Sequence, residues 1–193
     1  MEHVLEHNQE NTKIFGFWIY LMTDLIIFAV LFAAFIVHRT STFGGPTGKE
    51  LFEMPSVLAE TVILLTSSFT CALAMGSVHK GKRNWAMFWF LMTFALGVSF
   101  LVLELKEFAH FVSIGASWKR SAFLSSFFTL VGTHGLHITV GLLWMAVMML
   151  RLYIRPLVDS SISRMHRMAL FWHFLDFVWI FIFTVVYGWT HLS

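Results

Sequence analysis

The sequence is poor in the residues that build soluble domains and in those that build cysteine-based sites. Only 12% of its 193 residues are charged, whereas soluble domains contain about 25%, so an ordinary cytosolic domain is excluded. The single cysteine, Cys71, excludes an internal disulfide and a cysteine-based metal cage. The three prolines, Pro46, Pro55 and Pro156, lie outside the long apolar runs. A net charge of +2, with the basic residues between those runs, gives no indication of nucleic-acid binding.

Apolar residues make up 58% of the chain and are concentrated in five long runs. The runs cover approximately residues 14–37, 57–78, 85–110, 122–150 and 169–189. Each is near or above the roughly 20 residues needed to cross about 30 Å of hydrocarbon. The sequence therefore predicts an all-α polytopic membrane protein. Its single domain of five transmembrane helices occupies residues 14–193, after a polar N-terminal tail at residues 1–13.

Lysine and arginine are distributed unequally between the two predicted sides of the membrane. One side has eight: Lys13, Lys80, Lys82, Arg83, Arg151, Arg155, Arg164 and Arg167. The other has five: Arg39, Lys49, Lys106, Lys119 and Arg120. Because cytoplasmic loops carry the excess of basic residues, the N-terminus is predicted to be cytoplasmic and the C-terminus extracytoplasmic.

Acidic and histidine side chains interrupt these apolar runs or stand at their ends. They are Asp24, Glu60, Glu104, Glu107, His134, His137, His173 and Asp176. A charge at the bilayer centre costs at least about 2.5–3.5 kcal/mol, so such residues usually face a bundle interior, a cavity or a partner. These eight residues are the candidate functional residues.

Helical phase predicts where the histidines point. His134, His137 and Gly141 share one face of the fourth helix, and we expect this face to meet acidic groups of neighbouring helices. A second face consists of small residues, Gly132, Gly135 and Thr139, which let a neighbouring helix approach closely. On the fifth helix a mostly polar stripe is predicted to face protein rather than lipid. It contains His173, Asp176, Ile180, Thr184 and Tyr187.

Each group has a structural and a functional interpretation. For His134 and His137 an interhelical hydrogen-bond pair is favoured over metal ligation. His173 and Asp176, three residues apart, form a predicted pair that orients the imidazole ring. Asp24 lies at mid-span, where it serves either bundle packing or a lipid cleft or proton-related site.

The glutamates are predicted to lie nearer to water. Glu60 falls in the first turn of the predicted second helix, where a negative charge suits the helix dipole. Glu104 and Glu107 lie near an interface. Their candidate partners are Lys106, Lys119, Arg120 and His110.

Motifs typical of enzymes are missing. The glycine-rich run at residues 44–49 departs from a phosphate-binding loop, since Phe43 and Glu50 replace the required glycine and hydroxyl residue. Two other function classes stay open. A metalloenzyme with a His/Asp site predicts a stoichiometric metal that is lost in His134→Ala or His173→Ala. A proton-coupled carrier using Asp24 and Glu60 predicts transport by the chain alone and an inverted repeat, which the sequence does not show.

Four runs in order resemble a known family: residues 13–24 (KIFGFWIYLMTD), 44–49 (GGPTGK), 132–137 (GTHGLH) and 171–179 (FWHFLDFVW). They are similar to subunit III of the haem–copper oxidases, most of all to the five-helix form found in bacterial cytochrome bo-type ubiquinol oxidases. The resemblance extends over approximately residues 13–187.

The resemblance implies a V-shaped bundle, with the first two helices in one arm, the other three in the second arm and phospholipids in the cleft. Asp24, and with it Glu60, belongs to this lipid cleft, while the other six candidates form an internal polar network. Subunit III holds no haem or copper; these lie in subunit I, where ubiquinol is oxidised. Subunits I, II and IV are the implied partners, in the bacterial inner membrane. The implied role is support of assembly, stability and lipid binding, and the alternative is subunit III of a cytochrome c oxidase.

Overall fold

The computed structural model describes residues 2–41, 54–154 and 159–188, and the side chains of residues 12–41, 54–154 and 161–188. This part of the chain is helical apart from short turns. The helices are α1 (Glu2–His38), α2 (Met54–His79), α3 (Arg83–Ser113), α4 (Ala122–Ile154) and α5 (Asp159–Ile182), which continues as a π-helical turn (Phe183–Gly188). Five segments are long and apolar enough to span a membrane, as predicted.

Two helices extend well beyond the apolar runs that predicted them. The first begins at Glu2 rather than near residue 14, so the polar N-terminal residues continue α1. The fifth begins at Asp159 rather than near residue 169. Hydropathy marks only the part of a helix that crosses hydrocarbon, whereas backbone hydrogen bonds continue as far as the polar residues beyond it allow.

The α2–α3 pair is a tight antiparallel hairpin. Gly81 adopts a φ of 67° in the turn, a left-handed conformation that glycine accepts without steric cost. Backbone hydrogen bonds from Lys80 to Gly76 and from Lys82 to Ser77 close the turn. The hairpin accounts for the most extensive helix–helix contact in the described part of the chain.

The remaining contacts define the order of the helices. The α1 helix packs on α4 and, over a smaller area, on α5; α2 packs on α3 and α5; and α3 packs on α4. The expected pairing of the first two helices in one arm is therefore wrong for the described residues, since the main partner of α1 is α4. Helical periodicity identifies which face of a helix is buried, but it does not identify the helix that covers that face.

Tryptophan side chains join α2 to α5. The indole Nε1 of Trp172 donates to Oγ of Ser67 at 2.8 Å, and that of Trp179 donates to Oγ1 of Thr61 at 3.1 Å. Both rings are buried, and without a partner each buried N–H would carry a desolvation cost of about 1–3 kcal/mol. These bonds fix the antiparallel register of the two helices.

Two glycines make room for the Trp172 ring at the centre of the bundle. A Cβ atom on Gly97 of α3 would stand 2.7 Å from Cη2 of Trp172 and 2.9 Å from Cδ2 of Leu142. A Cβ on Gly141 of α4 would stand 3.2 Å from the same ring. The indole therefore lies in a notch that only glycine leaves open.

Candidate functional site

Asp24 of α1 and His137 of α4 meet in the interior of the bundle. Nε2 of His137 lies 3.8 Å from Oδ2 of Asp24, an ion-pair distance, and the Asp24 side chain is buried. Nδ1 of His137 lies 2.7 Å from the carbonyl oxygen of Thr133. A carbonyl oxygen only accepts, so Nδ1 donates and the neutral ring presents an unprotonated Nε2 to Asp24.

His134 is enclosed by aromatic rings. Its ring centroid lies 5.2 Å from that of Trp179, 6.0 Å from that of Phe100 and 6.4 Å from that of Phe28. The residue is fully buried, and neither ring nitrogen has a hydrogen-bond partner among the described residues. The predicted interhelical hydrogen-bond pair of His134 and His137 is therefore not present there: one ring bonds within its own helix and the other packs against aromatic rings.

A second group contains the three candidate glutamates. Glu60 of α2 and Glu104 of α3 are 0% and 3% exposed, and Glu104 interacts electrostatically with Glu60 and with Glu107. The Glu104 carboxylate lies against α4, because a Cβ on Gly135 would stand 2.8 Å from its Oε1. The small-residue face predicted on α4 is thus the face that α3 approaches. No ion pair joins Glu104 to a basic side chain in the described part.

The prediction that Glu60 lies in a first helical turn near water is wrong. The α2 helix begins at Met54, so Glu60 lies in its second turn, and its side chain is fully buried. Glu60 also groups with Glu104 rather than with Asp24, whose contact is to α4. The side chains of Asp24 and Glu60 are both buried within the chain.

His173 of α5 contacts α2. Its Nδ1 lies 2.6 Å from Oγ of Ser68, and this bond orients the ring. No ion pair links His173 to Asp176 among the described side chains, so the predicted pair within α5 is wrong. Asp176 is 5% exposed, and the hydroxyl of the same Ser68 lies close to its carboxyl group. Sequence reasoning missed Thr61 and Ser68, although their seven-residue spacing, two helical turns, marks one polar edge of α2.

The polar stripe predicted on α5 does not hold along its length. Asp176 is buried, but Ile180 and Thr184 are exposed, and the Thr184 hydroxyl donates to the carbonyl of Ile180 in its own helix. Tyr187 is buried again. Ile180 still lies in the α-helical part, whereas Tyr187 lies in the π-helical turn, where the phase departs from 100° per residue.

No three His, Cys, Asp or Glu side chains come together in a geometry that holds a metal ion within residues 2–41, 54–154 and 159–188. The glycine-rich run at residues 44–49 lies outside the described residues. Two sets of candidate residues join the first four helices, an Asp24–His137 contact between α1 and α4 and a Glu60–Glu104 group between α2 and α3. The contact of His173 with Ser68 joins α5 to α2. Such sets can hold protons and join helices.

The comparisons with known proteins agree with the sequence motifs. The family model of cytochrome c oxidase subunit III matches residues 4–191. The cytochrome bo(3) ubiquinol oxidase subunit 3 of Pseudomonas aeruginosa is 52% identical over 186 residues, which are 96% of this chain and 89% of that protein. The quinol oxidase subunit 3 of Bacillus subtilis is 41% identical, with 97% of both chains covered. A cytochrome c oxidase subunit 3 from Bacillus sp. PS3 is 43% identical, with 91% of this chain and 84% of that protein covered. The chain belongs to the cytochrome c oxidase subunit III family.

Proposed function

We propose that this chain is the accessory subunit III of a proton-pumping terminal ubiquinol oxidase, without a redox centre of its own. The observation that carries the proposal is its identity, along nearly the whole chain, to proteins named as ubiquinol and quinol oxidase subunits. In this proposal subunit I contains the haem and copper and oxidises ubiquinol. The chain contacts subunit I most and also subunits II and IV, and it supports assembly, stability and phospholipid binding.

The residue inventory supports a role without a redox centre. By the pattern of the family, a catalytic haem–copper subunit needs six histidine ligands at membrane depth, and the deep histidines here are His134, His137 and His173. Of these, His137 bonds its own backbone, His173 bonds Ser68 and His134 packs against aromatic rings. Each interaction is one that a structural histidine makes inside a bundle.

The proposed location is the bacterial inner membrane, with the N-terminus in the cytoplasm. The excess of basic residues at the α2–α3 turn and around the α4–α5 connection supports this orientation. The V-shaped arrangement stays part of the proposal in changed form. In the changed form, the cleft lies between α1, which packs on α4, and α2, which packs on α3. The exposed rings of Phe177 and Phe181 on α5 would line the base of this cleft.

The first test is a pull-down of the tagged full-length chain in mild detergent, with a visible spectrum, metal analysis and activity assays. We expect haem and copper to arrive with larger partner subunits, to stay with those subunits when this chain is stripped off, and to accompany ubiquinol oxidation. Oxidation of cytochrome c instead would favour the alternative, subunit III of a cytochrome c oxidase. A stoichiometric metal in the stripped chain would contradict the accessory role.

Asp24→Asn tests the proposed link to lipid. We expect the variant to assemble normally, because asparagine keeps the size of the side chain. We expect it to alter bound phospholipid or to shorten activity during turnover, because the carboxyl group that contacts His137 is lost. Phospholipid content and the inactivation rate of the purified complex measure this. The matched control is Asp159→Asn, at the start of α5, which lies outside the apolar segment. Unchanged lipid and an unchanged inactivation rate would rule the link out.

A further inference from the structure

Glu60 and Glu104 lie at the same height in the α2–α3 hairpin. The hydroxyls of Thr70 and Thr93 are 2.8 Å apart and fix the register of the two antiparallel helices. Glu60 is ten residues before Thr70, and Glu104 is eleven residues after Thr93. At 1.5 Å per residue the glutamates lie about 15 Å and about 16.5 Å from the threonine pair, in the same direction. The register therefore places the two residues at the same level of the hairpin, where Glu104 is within electrostatic range of Glu60.

Burial removes both carboxyl groups from water. Glu60 is 0% exposed and Glu104 3% exposed, and none of their four carboxyl oxygens has a hydrogen-bond partner among the described residues. The carboxyl group of Glu104 packs on Gly135, which has no side chain and therefore leaves room for it. Glu60, from a different helix, is likewise a fully buried polar side chain, and it lies within electrostatic range of Glu104.

Two further acidic side chains of the described residues, Glu107 and Tyr187, lie near the pair. Glu107, one turn further along α3, acts electrostatically on both Glu60 and Glu104. The phenol of Tyr187, carried by the π-helical turn, is buried within electrostatic range of all three glutamates. On α4 the residue against Glu104 is Gly135, which brings no charge. Two carboxylates that share one buried position cannot both be ionised without strong repulsion.

We propose that Glu60 and Glu104 form a proton-binding site inside the membrane, which holds at least one proton between the two carboxyl groups at neutral pH. A proton on one residue makes that carboxyl group neutral and so removes the repulsion between the two. The proton replaces a basic partner in neutralising the pair. A proton suits the site better than a metal ion, because the described residues provide no three-ligand group there. This inference is independent of the proposed oxidase function.

Infrared spectroscopy of the full-length chain, in its complex or in lipid, tests the site. Protonated carboxylic acids have a carbonyl band that moves in D₂O, and ¹³C-labelled glutamate separates the glutamates from Asp24 and Asp176. At neutral pH we expect a ¹³C-sensitive acid band in the native chain. It is expected to persist at a shifted position in Glu60→Gln and in Glu104→Gln, and to disappear in the double variant.

Three outcomes would overturn the proposal. The first is absence of the band, with or without a stoichiometric cation in metal analysis. The second is a band that survives in the double variant, which assigns the proton to another glutamate. The third is a band that one single variant removes and the other leaves unchanged, which assigns it to one residue alone.

Two further variants leave Glu60 and Glu104 in place, so that loss of the band through misfolding can be recognised. Gly135→Ala retains both carboxyl groups, and its Cβ displaces the Glu104 carboxylate, so the band is expected to shift without loss of area. A band unmoved in Gly135→Ala would show that the proton is not held at Glu104. Glu10→Gln, in the polar start of α1, is the matched control and is expected to leave the band unchanged.

Discussion

Gly97→Leu is expected to prevent most of the chain from reaching the folded bundle. Even a single Cβ on Gly97 would stand 2.7 Å from the Trp172 ring and 2.9 Å from Leu142, and leucine adds three more carbon atoms in the same direction. Overpacking of a filled core costs about 1–3 kcal/mol and occasionally more. Alanine at this position is expected to fall within that range, and leucine above it.

The yield of monodisperse chain in mild detergent and its resistance to unfolding in a denaturing detergent measure the effect. Gly76→Leu is the matched control, because Gly76 also lies within a membrane-spanning helix and a Cβ there meets nothing within 4 Å. The control is expected to behave like the native chain. Equal losses in the two variants would show that residue size in a span, and not the Trp172 notch, determines stability.

The number of helices and several contacts were predictable from single segments of sequence. Hydropathy identified all five spans because crossing hydrocarbon requires about 20 apolar residues, whatever the neighbours. Helical phase identified the buried histidine face of α4 and the small-residue face on which Glu104 packs. It also anticipated that this histidine face meets an acidic group, since His137 contacts Asp24. These features depend on one helix at a time.

Features that depend on two helices were not predictable in this way. The hydrogen bond between Ser68 and His173 depends on the register of α2 against α5, which neither helix encodes alone. The burial of Glu60 follows from an earlier helix start at Met54 and from the α2–α3 register. The exposure of Ile180 shows that no other helix covers that part of α5, which the pattern of α5 alone does not reveal.

The two polar sets lie between different helices of the bundle. Asp24 and His137 join α1 to α4, whereas the glutamates lie between α2, α3 and α4. Between them stands the aromatic enclosure of His134, formed by Phe28, Phe100 and Trp179. Lipid does not drive helices together by the hydrophobic effect, so close packing and internal polar contacts have to do so. The two buried tryptophans of α5, Trp172 and Trp179, provide close packing and hydrogen bonds to α2.

Trp172→Ala is expected to cost about 3–5 kcal/mol, the range for truncating a buried aromatic side chain. The indole is fully buried, fills the notch between Gly97 and Gly141, and donates to Ser67. Its removal leaves a cavity and deprives α2 of a hydrogen bond to α5. Unfolding in a denaturing detergent measures the loss. Trp85→Ala is the matched control, since Trp85 is 57% exposed, and it is expected to change stability by less than about 1 kcal/mol.

The same truncation tests whether Gly97 and Trp172 share one space. In the native background Gly97→Ala meets the ring, but in the Trp172→Ala background the ring is absent and the added methyl enters the cavity. We therefore expect the cost of Gly97→Ala, about 1–3 kcal/mol in the native background, to be clearly smaller in the double variant, where Leu142 is the remaining close neighbour. If the cost of Gly97→Ala were the same in both backgrounds, Gly97 and Trp172 would not compete for one space. The proposed notch would then be wrong.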